Sequence, residues 1–409
     1  MISTTRLTRR SRFTLAVLLM ALLVTVQQTA TAQEGHWVTA WGCGPQLTED
    51  RNLPPVSLSH STLRQYVHAS QEGSMVRVRF SNAYGTEPVP IVAAHIAMSA
   101  GSGSAGTGEI DPDTDTALAF SGAPGTVIPP GEVVYSDPVK FTLPPTAEVA
   151  ISTFLGEVSE SVVNGHPGGR ANAFIVAGNE VSAASLPSGA KTRHWYYITG
   201  IEVLAPASSH TVVVFGDSIT DGYGTFDGNN RWPDFLARRL STDPSTEHVS
   251  VANMGIGGNA VFGGLGPAGR DRFDRDVLDQ NGVKWAIIFI GVNDIGSGGN
   301  QTLAQNIINE FTTFANKAHA KNILIYGATI TPFGGNGYYS TEHEAARQTV
   351  NSWIRTNELF DASIDLDAAI RDPANPLYIL PAYNNDNLHP NIAGYEALAN
   401  YIDLTLFAP

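Results

Sequence analysis

Val212-Val213-Val214-Phe215-Gly216-Asp217-Ser218-Ile219-Thr220-Asp221-Gly222 is an apolar run that ends abruptly in Gly-Asp-Ser. The run reads as a short strand buried on both faces, and the residues after it read as its carboxyl-end turn. In open α/β sheets ligands and reacting groups gather at that edge, so Ser218 stands where a nucleophile is useful. A serine hydroxyl is inert at its ordinary pKa and needs a base, together with a group that orients the base. Asp386-Asn387-Leu388-His389-Pro390 puts an acid and an imidazole three residues apart, and one loop can supply both. On these residues alone two readings of Ser218 stay open: a nucleophile, or a turn serine satisfying backbone donors at the start of a helix. The segment Gly216 to Thr220 lacks the second glycine of a G-x-S-x-G elbow.

Outward from this strand the pattern repeats. Apolar strands at Val212 to Phe215, Val249 to Ala252, Ala286 to Ile290, Ile323 to Tyr326 and Ile364 to Leu366 alternate with helical stretches. Between the third and fourth, Leu303, Ile307, Phe311, Phe314 and Ala318 fall on one helical face. Strand-helix alternation implies an α/β fold, a parallel sheet covered on both sides. Upstream, from Trp37 to about Val203, short alternating segments are separated by Gly, Pro, Ser and Asp. Met75 to Phe80, Val149 to Phe154 and Trp195 to Val203 are strand-like, and the region reads as an all-β sandwich or jelly roll. Ala205-Pro206-Ala207-Ser208-Ser209 reads as a linker. The expected division is a β-sandwich domain over 33–204, a linker over 205–210 and an α/β domain over 211–409. Within the β region Gly101 to Gly106 reads as a flexible loop. Asp111-Pro112-Asp113-Thr114-Asp115 resembles a calcium loop in its acidic alternation, but Thr116 and Gly122 stand where such a loop needs Gly and Glu, so a solvated turn is the better reading.

Residues 1–32 carry Arg6, Arg9, Arg10 and Arg12, an uncharged apolar run from Phe13 to Val26, and Ala30-Thr31-Ala32. This is the pattern of a secretory signal peptide cleaved near Ala32, too short to anchor the chain in a membrane. Arg9-Arg10 hints at a twin-arginine signal, and the general secretory route is the default expectation. The 409 residues hold 24 Lys and Arg against 38 Asp and Glu, a net charge of −14. Loss of the leader removes four arginines and no acid, leaving 20 cations against 38 acids, a net of −18. Such a surface repels nucleic acid and anionic lipid head groups, so neither is an expected partner. No second apolar run is long enough for stable membrane insertion. Cys43 is the single cysteine, so folding proceeds without an internal disulfide, and beside Trp41 it reads as a small buried residue.

Three further stretches follow carboxyl ends of strands. Asn253-Met254-Gly255-Ile256-Gly257-Gly258-Asn259 lets backbone N–H groups approach a ligand closely, and it lacks the G-x-G-x-x-G spacing of a dinucleotide site; a plain tight turn is the alternative. Gly291-Val292-Asn293-Asp294 can aim an amide donor at the same edge. The third is Asp386 to His389.

Gly216-Asp217-Ser218, Asn253 to Gly258, Gly291 to Asp294 and Asp386 to Pro390 occur in the order and spacing of the SGNH (GDSL) hydrolase family, and the chain from about Thr211 to its end resembles that family. With Arg231-Trp232-Pro233, the complete chain is similar to large secreted bacterial and fungal GDSL lipases and acylhydrolases. The resemblance implies a flavodoxin-like three-layer domain with strand order 2-1-3-4-5 and no metal or organic cofactor. It implies Ser218 as nucleophile, His389 as general base and Asp386 as the residue that orients His389. The Ser218 and Gly258 backbone N–H groups and the Asn293 side chain would form the oxyanion hole, with Gly257 as the adjacent alternative to Gly258. A serine esterase, lipase or acylhydrolase is the function this implies. Substrate readings are acyl lipids, small-molecule esters, or acetyl groups on polysaccharide. The reading from another class is a secreted carbohydrate- or surface-binding protein with an inactive hydrolase scaffold. Oligomeric state is not legible.

Overall fold

Valine and phenylalanine fill an inner strand of the downstream half because it has no solvent face: Val212, Val213, Val214 and Phe215 are all fully buried. The computed structural model describes Met1 and residues 35–101, 106–186, 188–226 and 228–408. Most of the leader stretch and the centre of the Gly101–Gly106 loop lie outside these residues. The chain divides into a unit of Met1–Gly35 and a unit of His36–Pro409, and every element below belongs to the second.

The downstream sheet consists of β1 (His210–Gly216), β2 (Val249–Gly255), β3 (Val283–Phe289), β4 (Leu324–Ala328) and β5 (Ala362–Ile364). All its pairings are parallel, in the spatial order β2-β1-β3-β4-β5. Helices α1 (Trp232–Thr242), α2 (Gln301–Ala320), α3 (Thr341–Thr356) and α4 (Ile392–Tyr401) cover it. Phe215 pairs in register with Ile288, so Phe289 points to the opposite face. Phe215 meets Phe314 of α2, whereas Phe289 meets Trp232 of α1, and the two helices therefore flank the sheet on opposite sides. On α2, Ile307, Phe311, Phe314 and Ala318 are buried, Leu303 packs at the margin, and the Asn300 side chain caps the helix by accepting from the Leu303 N–H.

Upstream, two antiparallel sheets share one apolar core. One joins His36–Gly42, Ile198–Ala205, Gly73–Ser81, Val133–Tyr135 and Val139–Leu143; the other is built around Ser61–Ala69, Ala147–Leu155 and Val89–Met98. Val76, Val78 and Ile201 from the first sheet meet Leu63, Ile96 and Ile151 from the second in that core. The expected strand from Trp195 to Val203 is broken. Tyr197 takes a left-handed backbone conformation, φ 62°, which is uncommon for a bulky residue. Trp195–Tyr196 is thereby diverted to a small separate sheet with Asn164–His166 and Gln46–Leu47. Asp111 caps the single turn Pro112–Thr114, and Asp115 accepts from the His95 ring.

Ala205 and β1 are separated by four residues, closed by a bond from the Ser209 N–H to the Pro206 carbonyl. The strand His36–Gly42 packs beside β2, the outer strand of the parallel sheet. Ser70 Oγ accepts from the Val251 N–H at 2.8 Å and donates to the Ala40 carbonyl at 2.8 Å. The Thr39 N–H reaches the Asn281 carbonyl, and an Arg79 Nη donates to Gln280. Cys43 is buried in this seam, and burial pushes its thiol far above the ordinary range.

Candidate active site

Gly216 ends β1 because nothing larger fits. A Cβ there would collide with Thr220 Oγ1 and come within 2.6 Å of the Phe289 carbonyl of β3. Asp217 is the N-cap of a single helical turn, Ser218–Asp221, and its carboxylate accepts from the Ile219 N–H at 3.0 Å. Capping thus falls to Asp217, which frees the Ser218 hydroxyl. Gly222, at φ 81°, closes the turn in the left-handed region. Burial is the main reason the Asp217 carboxyl is pushed up to about 7, with the Ile219 N–H acting against it.

The segment that faces Ser218 is a loop organised by its own side chains. Asn387 has φ 65°, and Asn384 exchanges hydrogen bonds with Asn387 through Nδ2 and Oδ1. One Asp386 oxygen accepts from the His389 N–H at 2.7 Å and the Leu388 N–H at 3.1 Å, while the other lies 2.8 Å from His389 Nδ1. A carboxylate opposite Nδ1 requires the proton on that nitrogen, which leaves the Nε2 lone pair toward Ser218 Oγ at 2.8 Å. Burial lowers the His389 pKa and outweighs Asp386, which favours the charged ring. Burial also raises the Asp386 carboxyl, but the His389 N–H and ring outweigh it and hold the group below the usual range. Tyr223 lies over the imidazole, ring centres 4.2 Å apart, and its carbonyl accepts from the Tyr395 hydroxyl.

Two other strand ends reach the same cavity as Ser218 and His389. Gly258, after β2, has φ +70°, a conformation that suits glycine, and its carbonyl accepts from the Leu265 N–H. Gly257 and Gly258 both border the same cavity as Ser218, Asn293 and His389. Asn293 follows β3. Its Nδ2 donates to the Asn259 carbonyl at 2.8 Å, and its Oδ1 accepts from the Tyr338 hydroxyl at 2.9 Å. An amide nitrogen carries two protons, so the second is available to the cavity. Buried Arg272 ties these ends together, donating to the Gly216 and Met254 carbonyls, to Asn259 Oδ1 and to Asp276. Asp294 receives the Val261 and Phe262 N–H groups. The structure therefore brings Ser218, Gly258, Asn293, Asp386 and His389 to one edge of the sheet.

Much of the cavity, about 580 Å³, is bordered by the upstream half of the chain. His166 Nε2 lies 3.0 Å from Asp221 Oδ1, and an Arg170 Nη lies 2.9 Å from Asp221 Oδ2. Burial would raise the Asp221 carboxyl, but Arg170 and His166 outweigh it and hold it low. His166 Nδ1 is fixed by the Gly44 carbonyl. A Cβ on Gly168 would run into the Asp221 carboxylate. Tyr338, His166, Arg170 and Asp221 escape sequence reading because their partners lie 45 to 55 residues away. The one local signal is the spacing of Asp221, a buried acid one turn after Ser218.

Residues 214–397 match the model of the GDSL-like lipase/acylhydrolase family. Among solved structures, the chain is similar to a lipase/acylhydrolase from Enterococcus faecalis, at 23% identity over 47% of this chain and 92% of that one, with a TM-score of 0.37. An acetyl xylan esterase, AlAXEase, matches at 22% identity over 47% and 96%, TM-score 0.37. A member of the lipolytic protein G-D-S-L family from Veillonella parvula matches at 16% over 47% and 96%, TM-score 0.35. No curated protein matches the chain.

Proposed function

From the GDSL-like lipase/acylhydrolase domain carried by residues 214–397, we propose that the protein is a serine ester hydrolase that works through an acyl-enzyme on Ser218. The observation that carries this reading is the chain of contacts from Ser218 Oγ to His389 Nε2 and from His389 Nδ1 to Asp386, each 2.8 Å. His389 takes the Ser218 proton as the hydroxyl attacks the ester carbonyl. Negative charge then forms on the carbonyl oxygen, where the Ser218 and Gly258 N–H groups and Asn293 Nδ2 donate to it; losing one such donor commonly costs about 10²- to 10³-fold in rate. The proton returns to the departing alcohol, the C–O bond breaks, and water repeats the attack to release the acid and restore Ser218.

Export on the leader at 1–32 belongs to the same proposal, as do a β-sandwich domain over 33–204, a linker over 205–210 and a hydrolase domain over 211–409. No helix among the described residues is long and apolar enough to cross a membrane. Ser218→Ala is expected to stay folded, to lose ester hydrolysis to background and to lose labelling by a fluorophosphonate. Near wild-type turnover by the purified variant would remove Ser218 from the mechanism.

A further inference from the structure

In this mechanism the departing alcohol lies on the His389 side of the scissile bond, since Nε2 must protonate its oxygen. Arg170 reaches that side, its guanidinium 5.8 Å from the centre of the Tyr223 ring that lies over His389, and Gln46, Glu49, Arg51, Asn52 and His194, also from the upstream half, border the same cavity. The wall is built rather than incidental. The Gln46 and Asn52 amides each donate to one Glu49 carboxylate oxygen, at 2.7 and 2.9 Å, and the Tyr196 hydroxyl pins the Asn52 carbonyl at 2.7 Å. Each carboxylate oxygen has a second lone pair to offer. Arg51, on the 3₁₀ turn Asp50–Asn52, is exposed and makes no ion pair or side-chain hydrogen bond among the described residues. Arg170 is held by Asp221 and reaches over the Tyr223 ring. His194 Nδ1 donates to the Pro167 carbonyl at 2.6 Å; burial lowers its pKa and keeps the ring neutral, which leaves Nε2 as an acceptor.

Two donors, the exposed Arg51 and the Arg170 held by Asp221, therefore border one space together with two fixed acceptors, Glu49 and His194, with the exposed Tyr223 ring as an apolar plate beside them. A hydroxyl both donates and accepts, so several hydroxyls on a compact ring match this pattern. A long alkyl chain does not: among the described lining residues the aliphatic side chains are Leu265 and Leu388, with the ring of Pro167. We propose that the alcohol part of the substrate is polyhydroxylated, a saccharide, and that the upstream β region recognises it through Glu49, Arg51, Arg170 and His194. This rests on the ester hydrolase reading above.

The test compares kcat/KM for a methyl glucoside bearing one acetyl group, for ethyl acetate and for lysophosphatidylcholine, with fluorophosphonate labelling of Ser218 run alongside. The acetylated glucoside is expected to exceed ethyl acetate by at least about tenfold, since a site built to bond hydroxyls rejects analogues that lack them. Arg51→Ala and Glu49→Gln are each expected to shrink that ratio several-fold, mainly through KM. Labelling with equal rates on the glucoside and ethyl acetate, with a ratio unmoved by both variants, or with faster turnover of lysophosphatidylcholine, overturns the saccharide inference alone. No labelling and no turnover of any ester overturns the hydrolase reading and this inference with it.

Discussion

His389 must be neutral to accept a proton, and burial has already lowered its pKa from the ordinary 6.5. A lowered base pKa keeps the acceptor form present into mildly acid solution, so the acid limb of kcat/KM against pH is expected below 6.5 and the activity lost as pH falls through it. The two backbone N–H groups on one Asp386 oxygen fix how a replacement would sit. In Asp386→Asn the carbonyl oxygen takes those donors and the NH₂ faces Nδ1, which forces the imidazole into the tautomer that cannot accept from Ser218. Asp386→Asn is therefore expected below Asp386→Ala, and His389→Ala below both, in pH–rate profiles of the three variants; a milder loss in His389→Ala than in Asp386→Asn would overturn the division of roles. Tyr338 acts one step further out, as a positioning residue. Tyr338→Phe removes the donor that holds Asn293 Oδ1 and is expected to lower kcat about tenfold with little change in KM, against about 10²- to 10³-fold for Asn293→Ala. Adding Tyr338→Phe to Asn293→Ala should cost nothing more; a further loss would show that the tyrosine works by another route.

At the scale of elements, the strand-to-turn unit of β1 was the most legible part of the chain. Four successive apolar residues fit a strand buried on both faces, and a glycine followed by two small polar residues fits an abrupt exit. The Asp386–His389 pair was legible for a similar reason, because one loop closes the whole contact. Tyr338 and Arg170 were not, since nothing in a sequence states which distant turn packs on an amide or a carboxylate. The Trp195–Val203 stretch shows the converse failure: its β propensity is real, but Tyr197 diverts the chain, and the small sheet so formed holds His166 against Asp221 and the Gln46–Asn52 segment at the cavity. Gly216 tests the packing of the β1 exit. Gly216→Ala is expected to lower both the melting temperature and turnover, because the Phe289 carbonyl is backbone and cannot step aside. Wild-type stability and rate in that variant would mean that the turn has slack the geometry does not suggest.

For the whole molecule, the decisive feature is that the outer strand of the parallel sheet is sealed by the upstream half. β2 presents Val251 to Ser70, and the strand His36–Gly42 lies alongside. An uncovered edge of this kind invites pairing with other chains. A fragment beginning near Ser208 is accordingly expected to aggregate or to melt without cooperativity. A fragment spanning 36–206 is expected to be soluble and to melt as one unit, because its first and last strands pair with each other from His36–Ala205 to Gly42–Gly200. Circular dichroism melts and size-exclusion profiles of the two fragments check this; a stable, monomeric downstream fragment would make the upstream half an appendage. The same pairing sets a clock. A chain emerging from its amino end can finish its upstream sheets as soon as Ala205 is free, before a single residue of β1 has appeared. The downstream half then condenses on a surface already waiting for it, and Ser218 meets His389 only once the segment 171 positions further along has emerged, so the proposed chemistry is silent until then.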